Sequence, residues 1–215
     1  MKIRVWDLPT RLFHWALATC VTGAILYGNL GGQWMVWHFR CGYAVLALLL
    51  FRLVWALVGP RYAKWRDLTP GLTAVSHYLN TGKATHPGHN PLAGLALGGL
   101  LVVLLVQALG GVFASDGLAA SGPLHHWLAA PTGELISSLH KANRWLIYAL
   151  VGLHLAAVAW YSAVRHEPLV EAMLTGDKEV HESGPTVDDT PALWLRALVI
   201  LSLCSLLVWL VVKQA

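Results

Sequence analysis

Four histidines, His14, His38, His140 and His154, stand in or at the mouths of apolar segments long enough to cross a bilayer. An ionisable side chain at membrane depth is expensive to hold there and marks a functional site by default. His140 and His154 are fourteen residues apart, almost four α-helical turns, so both imidazoles share one helix face roughly 21 Å apart along the axis. No single metal ion reaches both. Two stacked cofactors do, each taking a second imidazole from another helix, and His14 and His38 are there to supply them. The chemistry that fits is a pair of bis-histidine b-type haems, one above the other, carrying electrons across a membrane.

The elements that must hold such a site are membrane helices. The chain has 215 residues, of which 56% are hydrophobic and only 12% charged, a balance that excludes a soluble domain of this length. Five apolar segments, 12–30, 34–58, 91–113, 138–163 and 192–212, each come close to or exceed the ~20 residues that span a ~30 Å hydrocarbon core. All are expected to be helices, because a backbone facing lipid must satisfy its own hydrogen bonds. The net charge of +4 does not indicate nucleic acid, since the basic residues bracket the spans and form no stripe. They read as topology instead. Lys2, Arg4 and Arg11 precede the first span, and Arg61, Lys64, Arg66 and Lys83 fill the second connection, whereas 28–37 and 114–137 contain no Lys or Arg. The positive-inside rule then places the N-terminus in the cytoplasm and the C-terminus outside.

Helix ends are legible as well. Asp7-Leu8-Pro9-Thr10 caps the first helix and Gly28-Asn29-Leu30-Gly31-Gly32 ends it; Gly59-Pro60 stops the second; Asn90-Pro91 opens the third with a cap and a proline in the first turn. Between them, Leu68 to Leu79 is an amphipathic piece expected at the inner surface, followed by the turn-rich run Thr85-His86-Pro87-Gly88-His89. The third span carries glycines at 94, 98, 99, 110 and 111 and no histidine, the composition of a packing helix or a cofactor wall. A 24-residue outer segment, 114–137, contains His125-His126-Trp127, where a short interfacial helix is expected. Three regions follow: a di-haem transmembrane domain over 1–164, a cytoplasmic linker over 165–191 with seven of the eleven acidic residues (Glu167, Glu171, Asp177, Glu179, Glu182, Asp188 and Asp189), and an accessory C-terminal transmembrane helix over 192–215. The fold class is an all-α membrane protein, a four-helix transmembrane di-haem bundle plus that fifth helix.

Parity around the bundle allows one pairing of the histidines. With the N-terminus inside, His14 begins helix one at the inner side, His38 begins helix two at the outer side, His140 begins helix four at the outer side and His154 lies four turns deeper. His38 therefore pairs with His140 for the outer haem and His14 with His154 for the inner. Arg52, fourteen residues after His38, lies on the same face at the inner level. An arginine at mid-helix costs about 2.5–3.5 kcal/mol on insertion scales and needs a partner such as a haem propionate; the plainer reading is a side chain that snorkels to the inner interface. Outside, Arg40, Lys141 and Arg144 surround the ligands and can neutralise propionates, and Gly42, at i+4 from His38, lets a porphyrin approach the helix.

Other classes fit less well. An intramembrane metalloprotease presents His-Glu-x-x-His and a metal transporter adds acidic residues within its spans, and neither occurs here. Cys20, Cys41 and Cys204 lie within spans as small packing residues, without a Cys-x-x-Cys-His haem attachment site. Leu17-Ala18-Thr19-Cys20 has the wrong residue before its cysteine for a lipoprotein signal, and Asp7 and Pro9 spoil a signal-peptide start. The eleven tryptophans mostly fall near span ends, as an aromatic belt does. His77, His86, His125, His126, His166 and His181 read as solvated or interfacial.

The opening Val5-Trp6-Asp7-Leu8-Pro9-Thr10-Arg11-Leu12-Phe13-His14-Trp15 strongly resembles the start of the bacterial cytochrome b561 family, which includes the b-type subunits of nickel–iron hydrogenases. The resemblance continues through His38-Phe39-Arg40-Cys41-Gly42 with Arg52 beyond, Gly88-His89-Asn90-Pro91-Leu92, and His140 to His154 followed by Leu169 to Lys178. It covers about 1–178 and implies a bacterial inner membrane and two non-covalent haems b in a four-helix bundle, with ligands falling on the four histidines already derived. His89 lies within a matching stretch, which lifts it above the other loop histidines as an inner-side propionate or quinone contact. Members of such a family pass electrons between quinone and a partner, a hydrogenase or other dehydrogenase or a periplasmic c-type cytochrome. One branch oxidises superoxide and reduces ubiquinone, and a haem-bearing anchor is a further alternative. Without a nucleotide fingerprint or an iron–sulfur cysteine set, the chain reads as an electron-transfer subunit rather than a stand-alone enzyme. The fifth helix departs from the four-helix pattern and reads as a docking device; the sparsely charged outer connection, with only Asp116 and Glu134, suits stable docking of a periplasmic partner.

Overall fold

Helices account for nearly all regular structure in the computed structural model, which describes residues 1–82, 88–117, 120–179 and 185–213. The expectations at Lys83, Thr85, His86, Pro87, His181 and Glu182 fall outside those residues. Five long helices carry the chain: α1 (Leu8–Leu30), α2 (Met35–Val58), α5 (Pro91–Phe113), α6 (Ala130–Ala163) and α8 (Pro191–Val212). Shorter ones, α3 (Trp65–Leu68), α4 (Leu72–Thr81) and α7 (Leu169–Thr175), lie between them, with two three-residue strands, β1 (Lys2–Arg4) and β2 (Asp177–Glu179).

Four stretches are long and apolar enough to cross a membrane: Gly32–Val58, Pro91–Phe113, Ala130–Ala163 and Pro191–Val212. With 23 residues α1 has the length of a fifth span, but Thr10, Arg11, His14, Thr19, Thr22 and Asn29 dilute its apolar character and it is not among the four. The caps behave as their chemistry requires. Asp7 accepts from Thr10 N at 2.9 Å and Thr10 Oγ1 at 2.7 Å, and Asn90 Oδ1 accepts from Ala93 N at 2.8 Å ahead of Pro91. Two boundaries differ from the sequence reading. The amphipathic piece read over 68–79 is the helix α4, which begins only at Leu72; Thr69-Pro70-Gly71 separates it from α3 because proline can neither donate to nor continue the turn before it. Helix α6 starts eight residues before its apolar pattern, at Ala130, with Pro131 tolerated in the first turn; at 34 residues it is about 51 Å long and outruns a ~30 Å core.

Two compact units divide the chain. One comprises Met1–Leu12, Leu53–Leu101 and Ala149–Ala197, the other Phe13–Arg52, Val102–Tyr148 and Leu198–Ala215. In the first, the segment read as a solvated acidic linker is folded. Strand β2 pairs antiparallel with β1, Arg4 opposite Asp177, and Val5 N and Trp6 N both donate to Gly176 O. Gly176 closes α7 at φ 91°, where a Cβ would sit 2.6 Å from Trp6 O, so only glycine fits. Ile3, Val5, Trp6, Tyr62, Ala172 and Val187 bury together beneath. Opposite charges explain why this segment is not free in water: Arg4 bonds Asp177 at 2.9 Å and Asp189 at 3.1 Å. Asp189 also accepts from Leu8 N at 3.1 Å and Trp194 Nε1 at 2.6 Å, tying the starts of α1 and α8 to one carboxylate. Burial raises the Asp189 pKa, but these donors outweigh it and hold the group below the ordinary carboxylate value. Asp7 goes the other way, raised by burial against the bonds from Thr10.

The second unit packs Leu46 and Ala47 of α2, Val112 of α5, Leu124 of the outer connection and Val208 of α8 into one core. The end of α8 is therefore built into this unit. His125–Trp127 forms a short 3-10 helix anchored by His125 Nδ1 donating to Phe113 O at 3.0 Å.

Candidate functional site

The second unit brings His38 on α2 and His140 on α6 together in the lining of one cavity. Their ring centroids are 6.2 Å apart with the planes at 89°. Each ring is held by the same bond. His38 Nδ1 lies 2.8 Å from Ala24 O and His140 Nδ1 lies 3.1 Å from Gln107 O. A carbonyl only accepts, so each Nδ1 carries the proton and each Nε2 keeps its lone pair. This is the tautomer a metal-ligating histidine needs, with its second nitrogen donating to a carbonyl. An iron held between two imidazoles at nitrogen–metal distances of about 2 Å needs a gap of this size.

The cavity has a volume of about 370 Å³ and is lined mostly by apolar side chains of α1, α2, α5 and α6. The lining also includes the polar side chains of Asn29, Asp116, Lys141, Arg144 and Tyr148. Asn29 Nδ2 donates to Tyr148 Oη at 2.9 Å. Gly42 lines the cavity, and a Cβ there would meet nothing within 4 Å, so the space expected beside it for a flat group is present. Arg144 is exposed with its guanidinium 5.2 Å from the Trp145 ring centre, and Arg40 lies 4.7 Å from that of Trp37. Among the described residues no three His, Cys, Asp or Glu side chains converge to hold a metal ion.

His14 belongs to the second unit and His154 to the first; both are half-buried, on α1 and α6. Arg52 is 6% exposed, which does not fit a side chain snorkelling into water. In the first unit the His89 ring lies 4.6 Å from that of Trp6. Beside it in sequence, Asn90 Nδ2 donates to Tyr161 Oη at 3.1 Å, and Tyr161 Oη bonds Tyr78 Oη at 2.8 Å. Burial, then the Tyr161 bond, push the Tyr78 hydroxyl up to about 12. Arg4 and Arg11 are engaged by Asp177, Asp189 and the Leu174 carbonyl. Of the other loop histidines, His77, His126 and His166 are exposed.

Gln107 and Asn143 escaped the sequence reading, and Gly28, read there only as part of a helix end, lies inside α1 against the His38 ring. Gln107 grips His140 from both sides. Its carbonyl takes Nδ1–H, its amide Nε2 donates to His140 O at 3.1 Å and lies 3.3 Å from Nε2, and Asn143 Nδ2 holds its Oε1 at 2.8 Å. A lone glutamine within an apolar span was the available signal, and it was not used.

Comparison with known proteins agrees with this chemistry. The family described as prokaryotic cytochrome b561 matches residues 5–176. Among curated proteins, the probable Ni/Fe-hydrogenase B-type cytochrome subunit of Bradyrhizobium diazoefficiens is 20% identical over 84% of this chain and 87% of its own. The probable Ni/Fe-hydrogenase 1 B-type cytochrome subunit of Escherichia coli K12 is 24% identical over 84% of this chain and 92% of its own. That of Azotobacter vinelandii, a probable Ni/Fe-hydrogenase B-type cytochrome subunit, is 24% identical over 85% and 91%. No solved structure matches. The match spans all four histidines and most of the chain, so this multi-pass helical membrane protein belongs to the prokaryotic cytochrome b561 family, b-type cytochromes that transfer electrons on haem.

Proposed function

We propose that the chain carries electrons across the bacterial inner membrane between the quinone pool and a periplasmic redox partner, using two bis-histidine haems b. His38 and His140 hold the outer haem; His14 and His154 hold the inner one. The observation that carries this reading is the pair of Nδ1–H bonds to backbone carbonyls at His38 and His140, which makes Nε2 the acceptor nitrogen in each of two rings whose centroids are 6.2 Å apart; at His140 that nitrogen now meets the Gln107 amide at 3.3 Å, a contact that iron would replace. Haem b supplies reversible one-electron exchange at its iron. The protein's part is to fix both imidazoles as neutral donors, to keep the rings in apolar surroundings, and to offset propionate charge. Arg144, Lys141 and Arg40 do this at the outer mouth and Arg52 deeper in the membrane. Gly42 leaves room for the ring edge.

Quinone is assigned to the inner side, where Arg4, Arg11, His89, Tyr161 and Arg165 could flank a headgroup; in the structure Arg4 and Arg11 are engaged by Asp177, Asp189 and the Leu174 carbonyl. The relatives are named as Ni/Fe-hydrogenase subunits, which supports a hydrogenase as the partner class; we place its small subunit over the outer haem, with a c-type cytochrome as the alternative. Adding a reduced quinol analogue to the oxidised protein tests the reading. Reduction of both haems is expected. No reduction by any quinol, whatever its potential, would leave a haem-bearing anchor, and reduction by a superoxide source that superoxide dismutase abolishes would favour the superoxide-oxidising branch.

A further inference from the structure

The two imidazoles of the cavity rest in matching seats on two different helices. On α1, His38 donates to the Ala24 carbonyl, and four residues on is Gly28, where a Cβ would lie 2.8 Å from His38 Nδ1 and 3.1 Å from its Cε1. On α5, His140 donates to the Gln107 carbonyl, and four residues on is Gly111, where a Cβ would lie 3.0 Å from His140 Cε1 and 3.5 Å from Nδ1. The shared spacing has a geometric cause. A helical carbonyl points along the axis at residue i+4, so a ring reaching that carbonyl from the flank must lie against the i+4 Cα, where only glycine leaves it space. The carbonyl oxygen has a second lone pair to offer after its helical bond. Other glycines of these helices are not held this close by a ring: Gly23 would meet Cys41 Sγ at 2.9 Å and Gly98 the Leu68 carbonyl at 3.0 Å, Gly110 only ordinary contacts at 3.8 Å and Gly99 nothing within 4 Å.

We infer that Gly28 and Gly111 are positioning residues for the outer haem's axial ligands, acting through the Ala24 and Gln107 carbonyls to set how strongly each imidazole donates to iron. The inference rests on His38 and His140 being those ligands. A proton drawn toward a carbonyl makes the imidazole a stronger donor, which favours ferric over ferrous iron and holds the potential down. A methyl group at either glycine pushes the ring off its carbonyl, weakens that bond and raises the potential.

The test is a potentiometric titration, with resonance Raman spectra, of full-length Gly28→Ala, Gly111→Ala and the double variant. Each single variant is expected to raise the midpoint potential of the outer haem and lower its ligand–iron stretching frequency. The double variant moves both further, and the inner haem is unchanged. Outer potentials and frequencies equal to the parent's in both single variants would overturn the inference. Should Gly28→Ala lose both haems, the same change is made in His38→Gly loaded with free imidazole. There no tethered ring meets the new methyl group, so haem content should equal that of His38→Gly alone; a persisting loss would make Gly28 a folding residue and overturn the inference. Failure of the underlying reading has its own signature, His38→Ala and His140→Ala that both retain two low-spin haems.

Discussion

At the residue scale, chemistry is concentrated in His38 and His140, whose environments differ in a way that makes their equivalence testable. Both donate Nδ1–H to a carbonyl, but only His140 has a glutamine amide beside its Nε2. If the two share one iron, His38→Ala and His140→Ala each remove the same haem, halving haem content, while His14→Ala and His154→Ala remove the other. Redox difference spectra of the four variants check this, and a variant set in which His38→Ala and His140→Ala lose different haems contradicts the pairing. The histidines were legible because an ionisable group in an apolar run stands out without knowledge of its neighbours. Gly28 and Gln107 were not. Their roles exist only once α1 lies against α2 and α5 against α6, and no local pattern encodes which glycine will face a ring.

At the scale of elements, the caps at Asp7 and Asn90 could be read directly because the partner amide is three residues away. The acidic 165–191 segment could not, since the bonds from Arg4 to Asp177 and Asp189 join residues 173 and 185 positions apart. Its charges fill no span, so they read as solvated. Asp177 and Asp189 have depressed pKa values in the folded protein, Asp177 chiefly through the Arg4 hydrogen bond and Asp189 through donors that overcome its burial. Their stabilisation is present above the unfolded carboxylate value near 4 and is lost as pH falls through the lower folded values; Asp7, with its raised value, contributes in the opposite sense. Asp189→Asn is expected to weaken the clasp among β1, α1 and α8 by about 1–3 kcal/mol. Protection factors at the Val5 and Trp6 amides, referred to the intrinsic exchange rate at each pH, should fall on acidification in the parent protein, and in the variant already at neutral pH; unchanged protection in the variant would count against Asp189 as the hub. Helix α8 gives a second test. Because Val208, Val211 and Val212 pack against the second unit's core, removal of 192–215 should lower the melting temperature of the detergent-solubilised protein by several degrees while the haems stay bound. Lipid replaces α8 there, so the loss is of packing and not of burial from water.

On the scale of the whole molecule, the orientation we propose rests on charge. Lys2, Arg4, Arg11, Arg61, Lys64 and Arg66 fall in the N-terminal segment and the second connection, whereas 28–37 and 114–137 hold no Lys or Arg. With α1 as a fifth span, the C-terminus is periplasmic, and alkaline phosphatase fused after Lys213 is expected to be active; a silent fusion would mean that one of the five long helices does not cross. The partner sits outside the molecule and was the least legible feature, because the outer connection presents few charges and an exposed Trp127 without naming what covers them. The central claim is that this chain holds two haems b, each between two imidazoles. It is tested most directly by pyridine haemochrome stoichiometry and a ferric spectrum of the purified protein. Two haems b per chain, both low-spin, are predicted; a ratio near one, or a high-spin ferric spectrum, would contradict it.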